Sequence, residues 1–280
     1  FKIKPRSVAH PSRLLSFLQK KNGDMINNGQ VFFSKINCLG YAGDKNGTPL
    51  YQNDQDGYPI MKDGKKIIKE DYTETIKDYH RFVQKNTIQS YKSFSIDSDQ
   101  LNNRLDYNYY CPQNRHIITV LKHNNSFKLK DLVDIVKHKS KLLKKNIKVN
   151  YVELSDIHTQ SFEIINSTKL SVHELPSRAS YRIKKGDIIT AVAGNATGTK
   201  KHATAYVTEE FENNICTNGF RVLRNIKINP FYLLYYFKSD LFLKQVYMYR
   251  TGAAIPAISD GDFSNILIYL PSQDKIDEIG

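Results

Sequence analysis

The apolar positions of this chain are densest in its second half, and their period changes along it. Between Tyr181 and Arg224 three short runs, Ile188–Ala193, Ala203–Val207 and Gly219–Leu223, are bounded by glycine, asparagine and charged residues. Runs of that length between turn residues predict buried strands. A basic lead-in (Arg182, Lys184, Lys185) and the turn Gly186-Asp187 precede the first run, and a hydroxyl- and lysine-rich loop from Gly194 to His202 follows it. Further strands are expected at Gln30–Ile36, Val149–Leu154 and Ile266–Leu270.

Elsewhere the period is helical. Tyr72, Ile76, Tyr79 and Val83 recur at three- and four-residue spacing and predict a helix from about Glu70 to Lys85. Leu101–Lys122 reads as a helical region broken near Pro112, and Lys128–Val136 as a short apolar helix. Pro230–Tyr249 reads as a buried helix pair, with Asn229 as its cap and Pro230 at the first helical position. A helix start is expected after His10-Pro11-Ser12, covering Arg13–Lys21, and another at Pro271–Ile276. Residues 42–66 form a series of Asx-Gly turns, and 86–96 a linker. The sum is an α+β fold: a mixed-sheet domain with flanking helices behind a smaller helical and hairpin region. The expected boundaries are 1–94, a helical arm at 95–126, the sheet domain at 127–271 and the start of a further helix at 272–280. The first residue is not Met, so a piece of a longer protein is expected.

Composition sharpens this picture. The 280 residues carry 41 Lys and Arg against 28 Asp and Glu, a net charge of +13, which favours an anionic partner. The competing explanation is a lysine-rich proteome, in keeping with abundant Lys, Asn, Ile and Tyr and no Trp. Cys38, Cys111 and Cys216 are too scattered for a disulfide framework, so a reducing cytoplasm is the expected compartment. No apolar run is long enough to span a bilayer, and no membrane partner is expected.

Candidate chemistry is sparse. Asp44/Asn46 and Asp54/Asp56 precede glycines, but the glycine falls at the wrong loop position for an EF-hand. Asp63-Gly64-Lys65, with Asp54 or Asp56, imitates the end of a nuclease metal site yet sits in a predicted turn. The histidines form no zinc-binding pair. Gly194–Lys200 has the composition of a phosphate loop without its spacing. Asn229-Pro230-Phe231 lacks the second proline of an adenine methyltransferase motif. No catalytic centre and no metal site is legible.

Particular residues carry a resemblance. Leu132-Val133-Asp134-Ile135, Tyr151-Val152-Glu153-Leu154-Ser155-Asp156-Ile157, Gly186-Asp187-Ile188-Ile189, Asn218-Gly219-Phe220-Arg221, Tyr232–Ser239, Thr251-Gly252 and Leu270–Ile276 follow one another in order. In this order and spacing, residues 127–280 resemble a target recognition domain of type I restriction–modification specificity subunits. One departure is a glutamine, Gln273, that stands closer to Pro271 than in the family pattern. The front part, through Val31–Ile36, Leu39–Asp44 and Gly47–Tyr51, resembles the C-terminal tail of N6-adenine DNA methyltransferase modification subunits. Arg104–Tyr110 is similar to the arm that enters the recognition domain.

That resemblance implies sequence-specific recognition of duplex DNA by the specificity module of a restriction–modification system, directing adenine methylation and, in some systems, cleavage. S-adenosylmethionine would belong to a catalytic domain outside these residues. The implied partners are duplex DNA, a methyltransferase catalytic domain or modification subunit, a restriction subunit and a second copy of the chain. The implied DNA contacts are Asn195, Thr197, Thr199, Lys200, Lys201 and His202 on the loop, followed by Arg178, Arg182, Asn218, Arg221, Arg250 and Thr251. The lysines between 137 and 148 are either backbone contacts or a solvated face. The aromatic residues Phe231, Tyr235, Tyr236 and Phe242 are expected to pack in the core. Two other classes stay open: a nuclease with an unrecognised metal site, resting on Asp63–Lys65, and a basic protein-interaction module.

Overall fold

A computed structural model describes residues 29–42, 46–85, 87–102, 104–137, 140, 147–252 and 254–279. The expected helix at Arg13–Lys21, Asp44 and most of the lysine run lie outside them. The chain divides into two compact units, Phe1–Tyr107 and Asn108–Gly280.

The first unit contains β1 (Gln30–Ser34), β2 (Met61–Lys62), β3 (Lys65–Lys66), α1 (Tyr72–Lys85) and β4 (Ser93–Asp97). β1 and β4 pair antiparallel, so the expected linker at 86–96 is in part a strand. Beside Phe94, its one buried apolar residue, it also buries a polar group: Ser93 is fully buried and its hydroxyl donates to Ser34 Oγ at 3.0 Å. α1 also departs from its pattern. Tyr72, Ile76, Tyr79 and Val83 are exposed, while Asp78 is buried and receives the Ser90 hydroxyl at 2.7 Å. The core of this unit is small, centred on Phe33 stacked on Phe94 at 5.3 Å.

The β2–β3 hairpin turns through Asp63 (φ 49°) and Gly64 (φ 72°), both left-handed, as a two-residue hairpin requires. Asp54 Oδ1 accepts from the amides of Asp56 and Tyr58 at 3.0 and 2.9 Å. These acidic residues therefore serve turns, and among the described residues no cluster of three or more His, Cys, Asp or Glu could hold a metal ion.

α2 (Tyr107–Tyr110) spans the division at Tyr107. The second unit continues with α3 (Pro112–Lys122), β5 (Ser126–Lys128), α4 (Leu129–Leu132), β6 (Asp134–Ile135), β7 (Lys148–Val152), β8 (Ile157–His158), β9 (Glu163–Ile164), β10 (Thr168–Ser171), β11 (Ala179–Arg182) and β12 (Ile188–Ala191). It then runs through β13 (Thr204–Tyr206), β14 (Ile215–Thr217), β15 (Phe220–Arg224), α5 (Pro230–Tyr236), α6 (Asp240–Tyr249), α7 (Asp260–Ser264), β16 (Leu267–Tyr269) and α8 (Gln273–Ile279). The helix expected at Lys128–Val136 is one turn, α4, followed by a strand that joins β15. Asn229 caps α5 through Oδ1, which accepts from Phe231 N and Tyr232 N at 2.9 and 3.4 Å.

Two four-stranded sheets, ordered β10-β7-β14-β11 and β13-β12-β15-β6, carry the unit. The β7–β14 pair is parallel and the other pairs in these sheets are antiparallel. β12 is covered on both faces. Ile188 joins the core formed with Leu233, Phe242, Val246 and Phe263, whereas Ile189 and Ala191 join the core formed with Val152, Tyr181, Phe220 and Val222. Double burial explains a continuous apolar run in place of alternation. A helical layer, one sheet and a second sheet thus stack in that order. The Gly186-Asp187 turn is locked from inside: Gly186 has φ +87°, and buried Asp187 accepts from Arg224 Nε and a terminal guanidinium nitrogen at 2.9 and 2.7 Å.

Of the aromatic residues expected in the core, Tyr236 and Phe242 are buried there, but Phe231 and Tyr235 are exposed. Phe231 lies against the ring of Tyr206, at 5.2 Å. Among the described residues no helix is long and apolar enough to cross a membrane.

Candidate nucleic-acid interface

The loop leaving β12 is shaped by two left-handed glycines, Gly194 (φ +115°) and Gly198 (φ +75°). A β-carbon at Gly198 would lie 2.8 Å from Tyr247 N, so the loop presses against α6 where only glycine fits. Gly198 N–H donates to His202 Nδ1 at 3.0 Å, and the other ring nitrogen lies 2.9 Å from Thr190 Oγ1, itself 2.8 Å from Thr204 Oγ1. With Nδ1 accepting, Nε2 carries the proton. His202 is completely buried, and burial, with Lys238 second, lowers its pKa to about 3. It is a neutral internal brace. The expectation that its side chain contacts DNA is corrected by this burial.

Thr197 is also turned inward, 1% exposed, and its hydroxyl has no hydrogen-bond partner among the described residues. Thr199 Oγ1 donates to Ala196 O at 2.8 Å, holding the local turn. Asn195, Lys200 and Lys201 are exposed. Among the described residues their side chains make no hydrogen bond or ion pair.

The expected arginines are tied into the framework. Arg250 donates to Thr197 O at 2.6 Å and covers the Tyr247 ring at 4.1 Å. Arg221 pairs with Asp260 at 2.6 Å and donates to Asn218 O at 3.0 Å. Arg182 donates to Asn213 O at 2.8 Å. Arg178 pairs with Glu153 and reaches the Tyr151 hydroxyl at 3.2 Å, and these bonds raise its already high pKa. Lys238, which did not stand out in the sequence, donates to His202 O at 2.9 Å, and its burial lowers its pKa. Arg250 and Lys238 therefore bind carbonyls of the loop.

Asn218 is exposed beside Gly219 at the start of β15. Thr251 pairs with Ala257 through two backbone hydrogen bonds of 2.8 Å, and Gly194 N–H donates to Pro256 O at 2.9 Å. The Thr251–Ala257 loop is thereby fastened beside the Gly194 loop. Gly252 (φ +98°) makes that turn, since a β-carbon there would lie 2.8 Å from Ile255 O.

Two depressions of about 430 and 260 Å³ open between these loops and share Leu154, Ser155, Ala193 and Gly194 in their walls. The larger adds Arg178, Asn218 and Ile255; the smaller adds Asn195, Thr197 and Lys201. The floor is apolar and the rim polar. Asn195, Lys201, Asn218 and Arg178 are thus brought together, whereas Arg182 and His202 line neither depression. Ser155 and Ile255 were missed in the sequence. Ile255 is 69% exposed, and a large aliphatic residue between Gly252 and Pro256 was the available signal. The 153–156 turn that presents Ser155 is closed by Glu153 N–H donating to buried Asp156 Oδ2 at 2.7 Å.

A larger depression, about 600 Å³, lies in the first unit, beside α1. Most of its charges are paired with one another, Asp78 with Arg81 and Lys92 with Glu74 at 2.8 Å, while Lys77 also lines it.

A family described as "Type I restriction modification DNA specificity domain" matches residues 121–279, more than half of the chain. No curated protein matches the chain in sequence. Among solved structures, one titled for complex assembly and conformational transition of the type I R-M system is 24% identical with a TM-score of 0.48, over 55% of this chain and 40% of that one. The HsdS subunit from Thermoanaerobacter tengcongensis is also 24% identical, with a TM-score of 0.46 over 55% and 39%. The type I restriction–modification S subunit from M. genitalium is 15% identical, with a TM-score of 0.33 over 51% and 33%. The aligned region thus spans about two fifths or less of the length of these structures.

Proposed function

We propose a function from one premise: the chain belongs to the family of type I restriction modification DNA specificity domains. Its second unit binds duplex DNA in a sequence-specific manner through the face that carries the two depressions. The observation that supports this most is the pairing of a rigid backbone with unengaged side chains. Asn195, Lys200 and Lys201 stand on a loop whose backbone is held from behind by His202, Arg250 and Lys238, and exposed Asn218 and Ser155 stand on neighbouring turns. Lysines with no internal partner can neutralise phosphates, while amide and hydroxyl side chains in a preformed recess can meet base edges.

One such unit reads one half of a bipartite site. A complete target then requires a second unit, from a longer chain or from a second copy. Acting with a methyltransferase domain or modification subunit that holds S-adenosylmethionine, the chain directs adenine methylation, and a restriction subunit would add cleavage. Residues 1–94 are proposed to be a methyltransferase tail and 95–126 the arm leading to recognition.

Titration of duplex binding against salt tests the reading. Specific binding is expected to fall steeply as salt rises and to exceed binding to random duplex by about a thousandfold or more. Equal affinity for random duplex and heparin would overturn it.

A further inference from the structure

We propose that the recess between residues 153–155 and the Gly194 loop reads an A·T pair, with Asn195 on the adenine and the apolar floor against the thymine methyl. This rests on the reading of the second unit as a DNA-binding domain and adds which base it takes.

Guanine is read in the major groove by arginine or lysine donating to O6 and N7, cytosine by a carboxylate accepting from N4, and adenine by an asparagine or glutamine amide at N6 and N7. Around the recess the arginines are committed: Arg178 to Glu153 and Tyr151, Arg221 to Asp260, Arg250 to the Thr197 carbonyl. Glu153, the carboxylate in the wall, is held by Arg178 and so is unavailable to cytosine. Asn195 and Asn218 are exposed, and among the described residues no hydrogen bond engages their side-chain amides.

The floor agrees with this choice. Leu154, Ala193 and Ala196 line the smaller depression, a surface that suits a methyl group, and among the described residues its wall holds no carboxylate for the exocyclic amine of cytosine. Thr197 supplies an independent sign of a ligand. The residue lines the same depression and is 1% exposed, and its buried hydroxyl lacks a partner among the described residues, whereas buried polar atoms are ordinarily satisfied. Lys201 remains as the cation that could read guanine, but it is exposed beside Lys200, in the manner of a phosphate contact.

Selection of duplexes from a randomised pool by the full chain and by Asn195→Ala and Asn218→Ala provides the test. The parent is expected to select a defined half-site, and Asn195→Ala to relax one position from adenine by about 5- to 150-fold, leaving the others unchanged. Replacing the paired thymine by deoxyuracil should weaken the parent at that same position. A selected half-site whose relaxed position is G·C, or one that Asn195→Ala does not relax, whether or not Asn218→Ala does, would overturn the assignment while leaving duplex reading intact. Loss of that position in Lys201→Ala alone would do the same. Failure of the parent to select any sequence would instead overturn the underlying reading.

Discussion

On the inner side of the Gly194–His202 loop, side chains and carbonyls are held by residues far along the chain. Arg250 binds the Thr197 carbonyl, Lys238 binds the His202 carbonyl, and the His202 ring joins Gly198 to Thr190. On the outer side Asn195, Lys200 and Lys201 are exposed, and no partner among the described residues holds their side chains. One loop therefore contains two kinds of polar residue, and composition alone does not separate them. The contrast teaches that the conspicuous cations of a loop can be its scaffold, while its smaller amides and unpaired lysines are left toward solvent. Preorganisation of this kind lowers the ordering cost of binding.

Breaking the inner side should have the largest effect. Gly198→Ala places a β-carbon 2.8 Å from Tyr247 N at a left-handed backbone position. A loss of about 2–4 kcal/mol is expected, from strain plus overpacking, measured by denaturant unfolding. Wild-type stability in Gly198→Ala would mean that the loop is not held against α6.

The next effect is one of pH. His202 has a folded pKa of about 3, below its ordinary 6.5, so the unfolded chain binds its proton first as pH falls. Its contribution is fully present above about pH 6.5 and drains away as pH drops toward 3, with a slope approaching 1.4 kcal/mol per unit, about one proton's worth. Unfolding between pH 6.5 and 5 should show this slope in the parent and lose it in His202→Gln. That variant should also be about 1–3 kcal/mol less stable at pH 7, because Gly198 N–H or Thr190 Oγ1 loses a partner. An unchanged slope would place the ring in contact with water.

On the outer side stability should hardly move. Lys200→Ala with Lys201→Ala is expected to stay within about 0.5 kcal/mol of the parent in unfolding. Binding to all duplexes should weaken, with the logarithmic salt slope reduced by about 2. An effect confined to one sequence would make one of the lysines a base contact.

Much of the fold was legible in the sequence because its signals are local. The β12 run, the Asn229 cap and the Asp63-Gly64 turn each follow from a few neighbouring residues and were located closely. Strand β4 is hard to read because it is short and buries only one apolar residue, Phe94, next to the polar Ser93. In the candidate site the loop itself was legible, and Asn195, Lys200, Lys201 and Asn218 stand exposed as a contact role requires. The inward turn of Thr197 and His202 was not legible. It depends on the left-handed angles at Gly194 and Gly198 and on Arg250, which is 53 residues from its partner. Ile255 was missed because its place beside Leu154 follows from the hydrogen bond that fastens Gly194 to Pro256.

The central claim, that duplex DNA occupies the face carrying the two depressions, is tested most directly by hydroxyl-radical labelling of the chain with and without a selected duplex. Ile255 and Leu154 should lose reactivity when DNA is bound, while exposed Tyr58 and Tyr91 of the first unit keep theirs. Protection of Tyr58 or Tyr91 with Ile255 and Leu154 unchanged would contradict the account.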